Sequence, residues 1–330
     1  MSKRAVITGI AHAVPPKILT NDDLAKMVDT NDEWIAQRTG IRERRICDGV
    51  EEGTYSLSVE AGGKALAKAG IGPEDIDLVI VGTVSGDYLW PAAACHVQNA
   101  LGIPTHVAAF DISAACTGFV TAVATAAAFL ESGAAKRALV IGMDCLSKQL
   151  NWEDRSTCIL FGDGGGAVVL EAQESTDRGV IRSILFSDGS GSNLICVETG
   201  GTKYPLRKPV PVGVRETIFM AGNEVYRFAI GAMTQACNKL LEETGFTARD
   251  ITLFVPHQAN IRIITKAAEA IGIPMESVFM NMDRYGNTSA GSIPLALSEA
   301  SEERRLKEGD LVMTVGFGAG LTWGANLIRW

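Results

Sequence analysis

Histidines that could act as general bases near neutral pH are few in this sequence. The 330 residues contain four, at positions 12, 96, 106 and 257. His257 directly follows the predicted strand Thr252–Val255, within the sequence Pro-His-Gln-Ala-Asn. Strand ends are where α/β proteins commonly bind ligands. A loop histidine bonded to the backbone would look the same, so this position leaves a catalytic and a structural role open.

Cys116 is the candidate nucleophile among seven scattered cysteines, which contain no C-x-x-C pair and indicate neither a disulfide framework nor a zinc site. It follows the predicted strand Val107–Asp111 and a turn of small residues, directly before the predicted helix Thr117–Ser132. The positive end of a helix dipole lowers the pKa of a thiol and favours the thiolate. The alternative is a packed core cysteine, which is the default for the other six.

Two glycine-rich segments could complete a site for acyl chemistry. Asn287 lies in RYGNTSAGSIP, before the predicted helix Ser292–Glu303, where it could cap the helix or donate a hydrogen bond to a ligand. Gly316, Gly318 and Gly320 permit close approach of the backbone, whose N–H groups could face an oxyanion. No complete G-x-G-x-x-G opens a βαβ unit, so a dinucleotide site is not indicated.

The elements that must position these residues alternate between β-rich and Ala-rich runs, which is typical of an α/β fold. Hydrophobic residues make up 47% and charged residues 21% of the chain, which excludes a disordered chain or a coiled coil. Further strands are predicted at Ala5–Ile10, Leu78–Gly82, Ala138–Gly142, Ala167–Glu171, Val180–Phe186 and Leu311–Val315, and further helices at Ser56–Ala69, Gly222–Glu243 and Ile261–Ala270.

An internal repeat predicts two similar halves. Residues 70–81 (GIGPEDIDLVIV) and 245–256 (GFTARDITLFVP) match at 4 of 12 positions, at an offset of 175 residues. Two further similarities, at the beginnings and the ends of the halves, occur in the same order. We therefore predict halves at 1–175 and 176–330, with the active site where loops from both halves meet.

Net charge and hydropathy bound the possible partners. The chain has 30 Lys+Arg and 38 Asp+Glu, a formal net charge of −8, which is unfavourable for general nucleic-acid binding. An acidic partner would need a local basic patch. No signal peptide or membrane-spanning run is apparent, so a cytoplasmic location is expected.

Seven ordered motifs make the sequence resemble the β-ketoacyl-acyl-carrier-protein synthase III family over essentially its whole length. The resemblance implies the thiolase fold, with two similar halves in a five-layered αβαβα core, and a homodimer. The motifs are TNDEWIAQRTGIRERR (30–45), DISAACTGF (111–119), FGDGGGAVVL (161–170), MAGNEVYRFA (220–229), VPHQANIRII (255–264), GNTSAGSIP (286–294) and GFGAGLTWG (316–324).

The resemblance implies a catalytic triad of Cys116, His257 and Asn287, with an oxyanion near the backbone N–H groups of Cys116 and Gly318. Elongating ketoacyl synthases resemble this fold but use Cys-His-His. Chalcone-synthase-type enzymes share Cys-His-Asn and a similar glycine-rich loop. The asparagine within GNTSAG favours synthase III over the elongating enzymes, and the TNDEWIAQRTG segment favours it over the chalcone-synthase type.

Contacts with substrates are implied in the same way. Trp34 would stack on the adenine of coenzyme A, with Arg155 on its other face, and Trp90 would reach across the dimer into the partner's acyl pocket. Ser156 and Trp90 depart from the family pattern, which has Gly and often Phe there. The full sets are Thr30, Trp34, Arg38, Arg155, Gly222 and Asn223 for coenzyme A, and Gln258, Arg262, Arg227 and Lys266 for the acyl carrier protein.

The implied reaction is a decarboxylating Claisen condensation of an acyl-CoA primer, expected to be acetyl-CoA, with malonyl-acyl carrier protein. No metal or redox cofactor is expected. Two alternatives stay open: a related acyltransferase or ketide synthase of secondary metabolism, and a catalytically silent protein that only binds an acyl carrier. The sequence does not fix the length of the primer.

Overall fold

Two β-sheets form the framework of the protein, which a computed structural model describes for residues 3–174, 176–206 and 208–330. The first sheet has the order β1-β7-β6-β4-β5, and the second has the order β11-β12-β13-β8. Two small pairs, β2–β3 and β9–β10, lie outside them. The strands are β1 Lys3–Ala13, β2 Ile18–Thr20, β3 Glu43–Arg45, β4 Leu78–Gly82, β5 Ala108–Ile112, β6 Arg137–Cys145, β7 Asp163–Glu174, β8 Gly179–Ser187, β9 Ile195–Cys196, β10 Phe219–Met220, β11 Leu253–Pro256, β12 Leu311–Gly318 and β13 Thr322–Arg329.

Helices cover both sheets and also separate them. Helices α5 and α10 pack between the sheets, α3 and α4 lie against the first sheet, and α7 lies against the second together with α8. This stacking is the five-layered αβαβα arrangement, so the predicted fold class is confirmed. The helices are α1 Asn21–Leu24, α2 Asp32–Thr39, α3 Thr54–Ala69, α4 Ala93–Leu101, α5 Gly118–Glu131, α6 Arg155–Cys158, α7 Gly222–Thr244, α8 Ile261–Ile271, α9 Met282–Tyr285 and α10 Ser292–Glu302.

The central helix α5 explains why the layers can pack closely. Its residues Val120, Ala122, Val123 and Ala126 are fully buried. These apolar positions must be covered, and small alanine side chains let both sheets approach the helix axis. The helix therefore fixes the position of the turn that precedes it, which carries Cys116.

The strand sets lie on either side of residue 175. The first sheet draws its strands from residues 3–174 and the second from residues 179–329, which supports our proposal of halves at 1–175 and 176–330. Ser175, the last residue of the proposed first half, lies outside the described residues. Among the described helices, none has the length and apolar composition needed to span a bilayer.

Several elements differ from the sequence-based expectation. Helices α2 and α4 were not predicted. The glycine-rich segment that reads as a loop is instead a hairpin, in which β12 runs to Gly318 and pairs with β13 through Gly318 and Thr322. Glycine usually weakens a strand, but the absence of side chains here leaves room for the Cys116 turn.

Candidate active site

Cys116 lies between β5 and α5, in a short 3₁₀ turn, Ala115–Thr117, and not in the first turn of the α-helix itself. Ala115 has a φ of 46°, an unusual value for a residue with a side chain. The Thr117 hydroxyl donates to Ala114 O at 2.6 Å, and its oxygen lies within hydrogen-bond distance, 2.9 Å, of the Thr322 hydroxyl. These bonds fasten the turn to the β12–β13 hairpin of the other sheet.

The hairpin approaches Cys116 so closely that residue 318 must be glycine. A Cβ atom at Gly318 would lie 2.7 Å from the backbone nitrogen of Cys116 and 3.0 Å from its Cβ. Such a contact would force the backbone apart. The two backbones that were expected to form the oxyanion site are therefore neighbours in the structure.

A cavity of about 350 Å³ brings Cys116, His257 and Asn287 together. The two halves supply these residues from three separate segments of the chain. Most of the wall is apolar, which suits an acyl chain. The apolar lining includes Leu146, Ile195, Ile218, Met220, Val225 and Phe317.

His257 is held rigidly at the end of β11. It is buried, its backbone N–H donates to Val315 O at 2.8 Å, and its Nδ1 lies 2.7 Å from the Ser292 hydroxyl. The Phe317 ring packs against the imidazole edge-on, with the ring centres 5.3 Å apart. Burial lowers the pKa of His257 to about 3, because the charged imidazolium loses its hydration. The imidazole is therefore neutral at physiological pH.

Asn287 is fixed with its amide in one orientation. Its backbone N–H donates to Leu160 O at 2.8 Å, and its Oδ1 accepts from the Ser289 N–H at 2.9 Å. With Oδ1 occupied, the Nδ2 amide remains available as a donor. The side chain thus bonds to the first residue of the short turn Ser289–Gly291 and does not cap α10, which begins at Ser292.

The expected low pKa of Cys116 is wrong. Burial raises the pKa of the Cys116 thiol to about 12, the Ser289 hydroxyl opposes the rise only in part, and the Asp144 carboxyl adds to it. The α-helix begins two residues later, at Gly118, so the helix dipole acts from a distance while loss of hydration acts on the sulfur itself. The resting residue is a neutral thiol.

Asp144 holds together the segments that surround the site. The sequence analysis missed this residue. Its Oδ1 accepts from the Thr83 hydroxyl at 2.8 Å and the Ser85 hydroxyl at 2.7 Å, and its Oδ2 accepts from the Ala290 N–H at 3.2 Å. The residue is fully buried, and burial raises its pKa. The only signal in the sequence was a single carboxylate at the end of an apolar strand.

Trp34 is half-buried on α2, and two arginine side chains contact its ring. The Arg38 guanidinium carbon lies 4.4 Å from the centre of its indole ring, and that of Arg155 lies 4.8 Å away. Arg155 Nη1 also donates to Asp29 O at 2.6 Å. The expected gap between Trp34 and Arg155 is thus closed by cation–π contact, so an adenine ring between them would require the guanidinium to move.

Three other positions expected near coenzyme A differ in their exposure. The Thr30 hydroxyl is buried and has no hydrogen-bond partner among the described residues. Gly222 and Asn223 are exposed at the beginning of α7, and Gly222 lines the cavity. The departure at Ser156 is accommodated easily, since Asp154 accepts from its backbone N–H at 2.9 Å as a helix cap.

The residues expected to bind the carrier protein divide into two groups. Arg262, Lys266 and Arg227 are exposed; Arg262 Nε donates to Gln37 O at 3.1 Å, and Lys266 Nζ lies 5.7 Å from the Tyr226 ring centre. Arg262 and Lys266 lie on α8 and Arg227 lies on α7, and these two helices pack against each other.

Gln258 is not exposed like these three cations, and its burial argues against direct contact with a carrier protein. It is 1% exposed, its Nε2 donates to Pro256 O at 2.7 Å and to Phe279 O at 3.2 Å, and its Oε1 accepts from the Asn281 N–H at 3.0 Å. A side chain with every polar atom bonded internally has nothing to offer a partner. It holds the loop that carries His257.

Trp90 does not line the cavity of its own chain. It is 82% exposed, and its neighbours Tyr88 and Leu89 are also exposed. An apolar segment exposed in this way is typical of a protein–protein interface.

A five-layered α/β fold with cysteine, histidine and asparagine on one apolar cavity defines a thiolase-fold condensing enzyme. The family model for 3-oxoacyl-[acyl-carrier-protein (ACP)] synthase III matches residues 110–189. The separate model for the C-terminal part of that family matches residues 241–330. The chain belongs to this family of condensing acyltransferases of fatty acid biosynthesis, which confirms the resemblance.

Individual relatives agree over the full length. The β-ketoacyl-[acyl-carrier-protein] synthase III of Rhizobium meliloti (strain 1021) is 48% identical over 99% of each chain. A crystal structure of 3-oxoacyl-[acyl-carrier-protein] synthase III from Aquifex aeolicus VF5 is 43% identical, with a TM-score of 0.91 over 99% of this chain and 100% of that one. The priming β-ketosynthase of the R1128 polyketide pathway is 32% identical, with a TM-score of 0.92 over 99% and 96%.

Proposed function

We propose that Cys116, His257 and Asn287 catalyse the condensation of an acyl-CoA primer, probed first with acetyl-CoA, with malonyl-acyl carrier protein. The observation that carries this proposal is the joint placement of the three side chains on one apolar cavity, with an uncharged imidazole and an uncharged thiol. Acyl transfer needs a nucleophile and donors to an oxyanion, and the cavity offers both.

The first half-reaction moves the acyl group from coenzyme A to Cys116. The sulfur of Cys116 forms a bond to the thioester carbon, and the bond to the coenzyme A sulfur breaks. The proton lost from the Cys116 thiol is balanced by the proton that the departing coenzyme A thiolate gains. The close approach of Gly318 to Cys116 supports a role for their backbone N–H groups in binding the transient oxyanion.

The second half-reaction forms the carbon–carbon bond. Carbon dioxide leaves the malonyl group, and the electron pair of that bond passes to the thioester as an enolate. Donors from His257 and Asn287 stabilise the enolate oxygen. The enolate carbon then attacks the acyl-Cys116 thioester, and the released cysteine sulfur takes up a proton. Neutral hydrogen-bond donors are sufficient for this step, because the malonyl thioester oxygen can be held without a positively charged side chain.

Recognition of the two substrates is assigned to the exposed residues around the cavity mouth. Trp34, Arg38 and Arg155 provide stacking and positive charge for a nucleotide. Arg262, Lys266 and Arg227 provide a positive surface for an acidic carrier protein, on a chain whose net charge is −8. No resident metal or redox cofactor takes part in this proposal, and a cytoplasmic location belongs to it.

A homodimer completes the proposal. The exposed segment around Trp90 and the unpaired edge strand β5 of the first sheet both favour association with a second copy. In such a dimer Trp90 would line the acyl cavity of the partner.

A two-stage assay tests the function. Purified protein is incubated with acetyl-CoA alone, and release of coenzyme A is measured; malonyl-acyl carrier protein is then added, and the 3-ketoacyl product is measured. We expect one equivalent of coenzyme A in the first stage and turnover in the second. Coenzyme A release that turns over equally well with malonyl-CoA in place of the carrier would favour a ketide synthase of secondary metabolism. Absence of both signals would indicate a protein that only binds a carrier.

A further inference from the structure

Ser292 is a buried hydroxyl that the reaction described above leaves without a role. It is the first residue of α10 and is 2% exposed. Its Oγ lies 2.7 Å from Nδ1 of His257 and 3.3 Å from the backbone nitrogen of Gln258. The serine therefore occupies Nδ1 of the imidazole. The other nitrogen, Nε2, is left free to act in the cavity that His257 lines with Cys116.

Counting protons decides which nitrogen of the neutral imidazole carries the hydrogen. The Gln258 N–H can only donate, so the Ser292 oxygen accepts from it. The Ser292 O–H then needs an acceptor, and among the described residues its only one is His257 Nδ1. If Nδ1 carried the hydrogen, this buried O–H would be left without an acceptor, which is costly. The contacts favour a bare Nδ1.

We propose that Ser292 is a positioning residue that fixes His257 in the tautomer with its hydrogen on Nε2. The tautomer itself does not depend on the proposed function; only its effect on catalysis does. In this tautomer His257 is ready to donate to the enolate oxygen. It does not accept the Cys116 proton at Nε2, so that proton travels to the coenzyme A sulfur by another route. Ser292 thus specialises His257 for the second half-reaction.

The position of α10 reinforces the assignment. The first residue of a helix lies at the positive end of the helix dipole, which disfavours a doubly protonated imidazole beside it. A neutral ring with one hydrogen is then the stable form, and the serine selects where that hydrogen lies.

The same helix contains a matched control. The Ser298 hydroxyl lies 2.9 Å from Nδ1 of His12, and Ser298 is fully buried. This second serine–histidine pair involves another histidine outside the cavity. Removing its hydroxyl therefore tests whether a lost buried hydroxyl in α10 affects the reaction in general.

The experiment uses the full-length protein with ¹⁵N-labelled histidine, observed by NMR, which distinguishes a protonated ring nitrogen from a bare one. The His257 signals are identified by their loss in His257→Asn. We expect wild-type His257 to carry hydrogen on Nε2, Ser292→Ala to populate both tautomers, and Ser292→Thr to restore the wild-type pattern. Ser298→Ala should change the His12 signals only. Hydrogen on Nδ1 in the wild-type protein would overturn the proposal, whatever the variants do.

Kinetics of the two half-reactions complete the test. Ser292→Ala should slow condensation with malonyl-acyl carrier protein about tenfold, as expected for one lost hydrogen bond, while coenzyme A release from acetyl-CoA stays within about twofold. Equal loss in both half-reactions would mean that Ser292 supports the fold, and an unchanged condensation rate would remove its catalytic consequence. If the wild-type protein lacked both activities, the proposed function would fail, but the tautomer measurement would still stand.

Discussion

The floor of the cavity, with Cys116 and His257, and its mouth, with Arg155 and Arg262, differ in charge and in exposure to water. On the floor, Cys116 and His257 are neutral because burial raises the pKa of the thiol and lowers the pKa of the imidazole. At the mouth, Arg155 and Arg262 are exposed cations held by backbone carbonyls. The chemistry is thus assigned to uncharged, rigid donors, and the recognition of acidic substrates to charges exposed to water.

This contrast makes different predictions for the two regions. Substitutions on the floor should affect chemistry and respond little to salt, since buried interactions are poorly screened. Substitutions at the mouth should affect binding and respond strongly to salt. The following predictions test that division, from the largest expected effect to the smallest.

Cys116→Ala should abolish acylation, because the alanine has no sulfur to form the thioester. Intact-protein mass spectrometry after incubation with acetyl-CoA measures the adduct. Cys196→Ala is the matched control, since Cys196 also lines the cavity and its removal should leave the adduct in place. An adduct on Cys196 with Cys116 unmodified would contradict the assignment.

Asn287→Ala should reduce condensation by about a hundredfold to a thousandfold, the effect of losing one donor to an oxyanion. Release of coenzyme A from acetyl-CoA should persist, because the first half-reaction uses the backbone donors. The two rates are measured separately, and His257→Ala should behave in the same direction. Full condensation in Asn287→Ala would reduce this residue to its structural bond with Ser289.

The pH dependence of Cys116 alkylation should show no plateau up to pH 10. Because the pKa of the thiol is about 12, the reactive thiolate fraction rises about tenfold for each pH unit below that value. The rate of iodoacetamide modification at Cys116 is followed by peptide mapping from pH 6 to pH 10. A plateau near neutral pH would show that the helix dipole outweighs burial after all.

Arg262→Glu should weaken condensation with malonyl-acyl carrier protein about tenfold at low salt, and added salt should reduce the difference from wild type. Acylation by acetyl-CoA should be nearly unchanged. Arg249→Glu, which makes the same charge change at an exposed site elsewhere, should leave both rates unaltered. Equal loss of both half-reactions in Arg262→Glu would place Arg262 in the coenzyme A site or in the contact between α8 and α2.

The sequence predicted the elements with strong periodicity better than the properties that depend on distant neighbours. Helix α7 was predicted at Gly222–Glu243 and is found at Gly222–Thr244, because its pattern is local. The three residues predicted as a triad do line one cavity. The predicted direction of the pKa shift of Cys116 was wrong, because the segments that remove water from its thiol are remote in the sequence.

Two further failures have the same origin. The family resemblance assigned Gln258 to carrier binding, but its amide bonds to the backbones of Phe279 and Asn281 inside the protein. Cys47 and Cys145, 98 residues apart in the chain, have their sulfur atoms 3.3 Å from each other, which their spacing does not suggest. Such pairings are set by packing of the layers, and a single sequence contains no local signal for them.

The smallest effect is expected at Trp90, where the division between floor and mouth depends on a second chain. Trp90 does not line the cavity of its own chain, so Trp90→Ala can change primer length only through the partner. We expect its coenzyme A release to become several-fold faster with longer acyl-CoA primers, relative to acetyl-CoA, since a wider pocket accepts extra methylenes. Leu89→Ala, an exposed neighbour, is the control.

Mixed dimers make the last prediction decisive. When Trp90→Ala chains are mixed with an excess of Cys116→Ala chains, every active site that remains lies on a Trp90→Ala chain. Its cavity, however, would be lined by the intact Trp90 of the partner. The wild-type preference for short primers should therefore return on mixing. If the broadened preference persists in mixed dimers that sedimentation confirms, Trp90 acts within its own chain or not at all, and the proposed reach across the dimer is wrong.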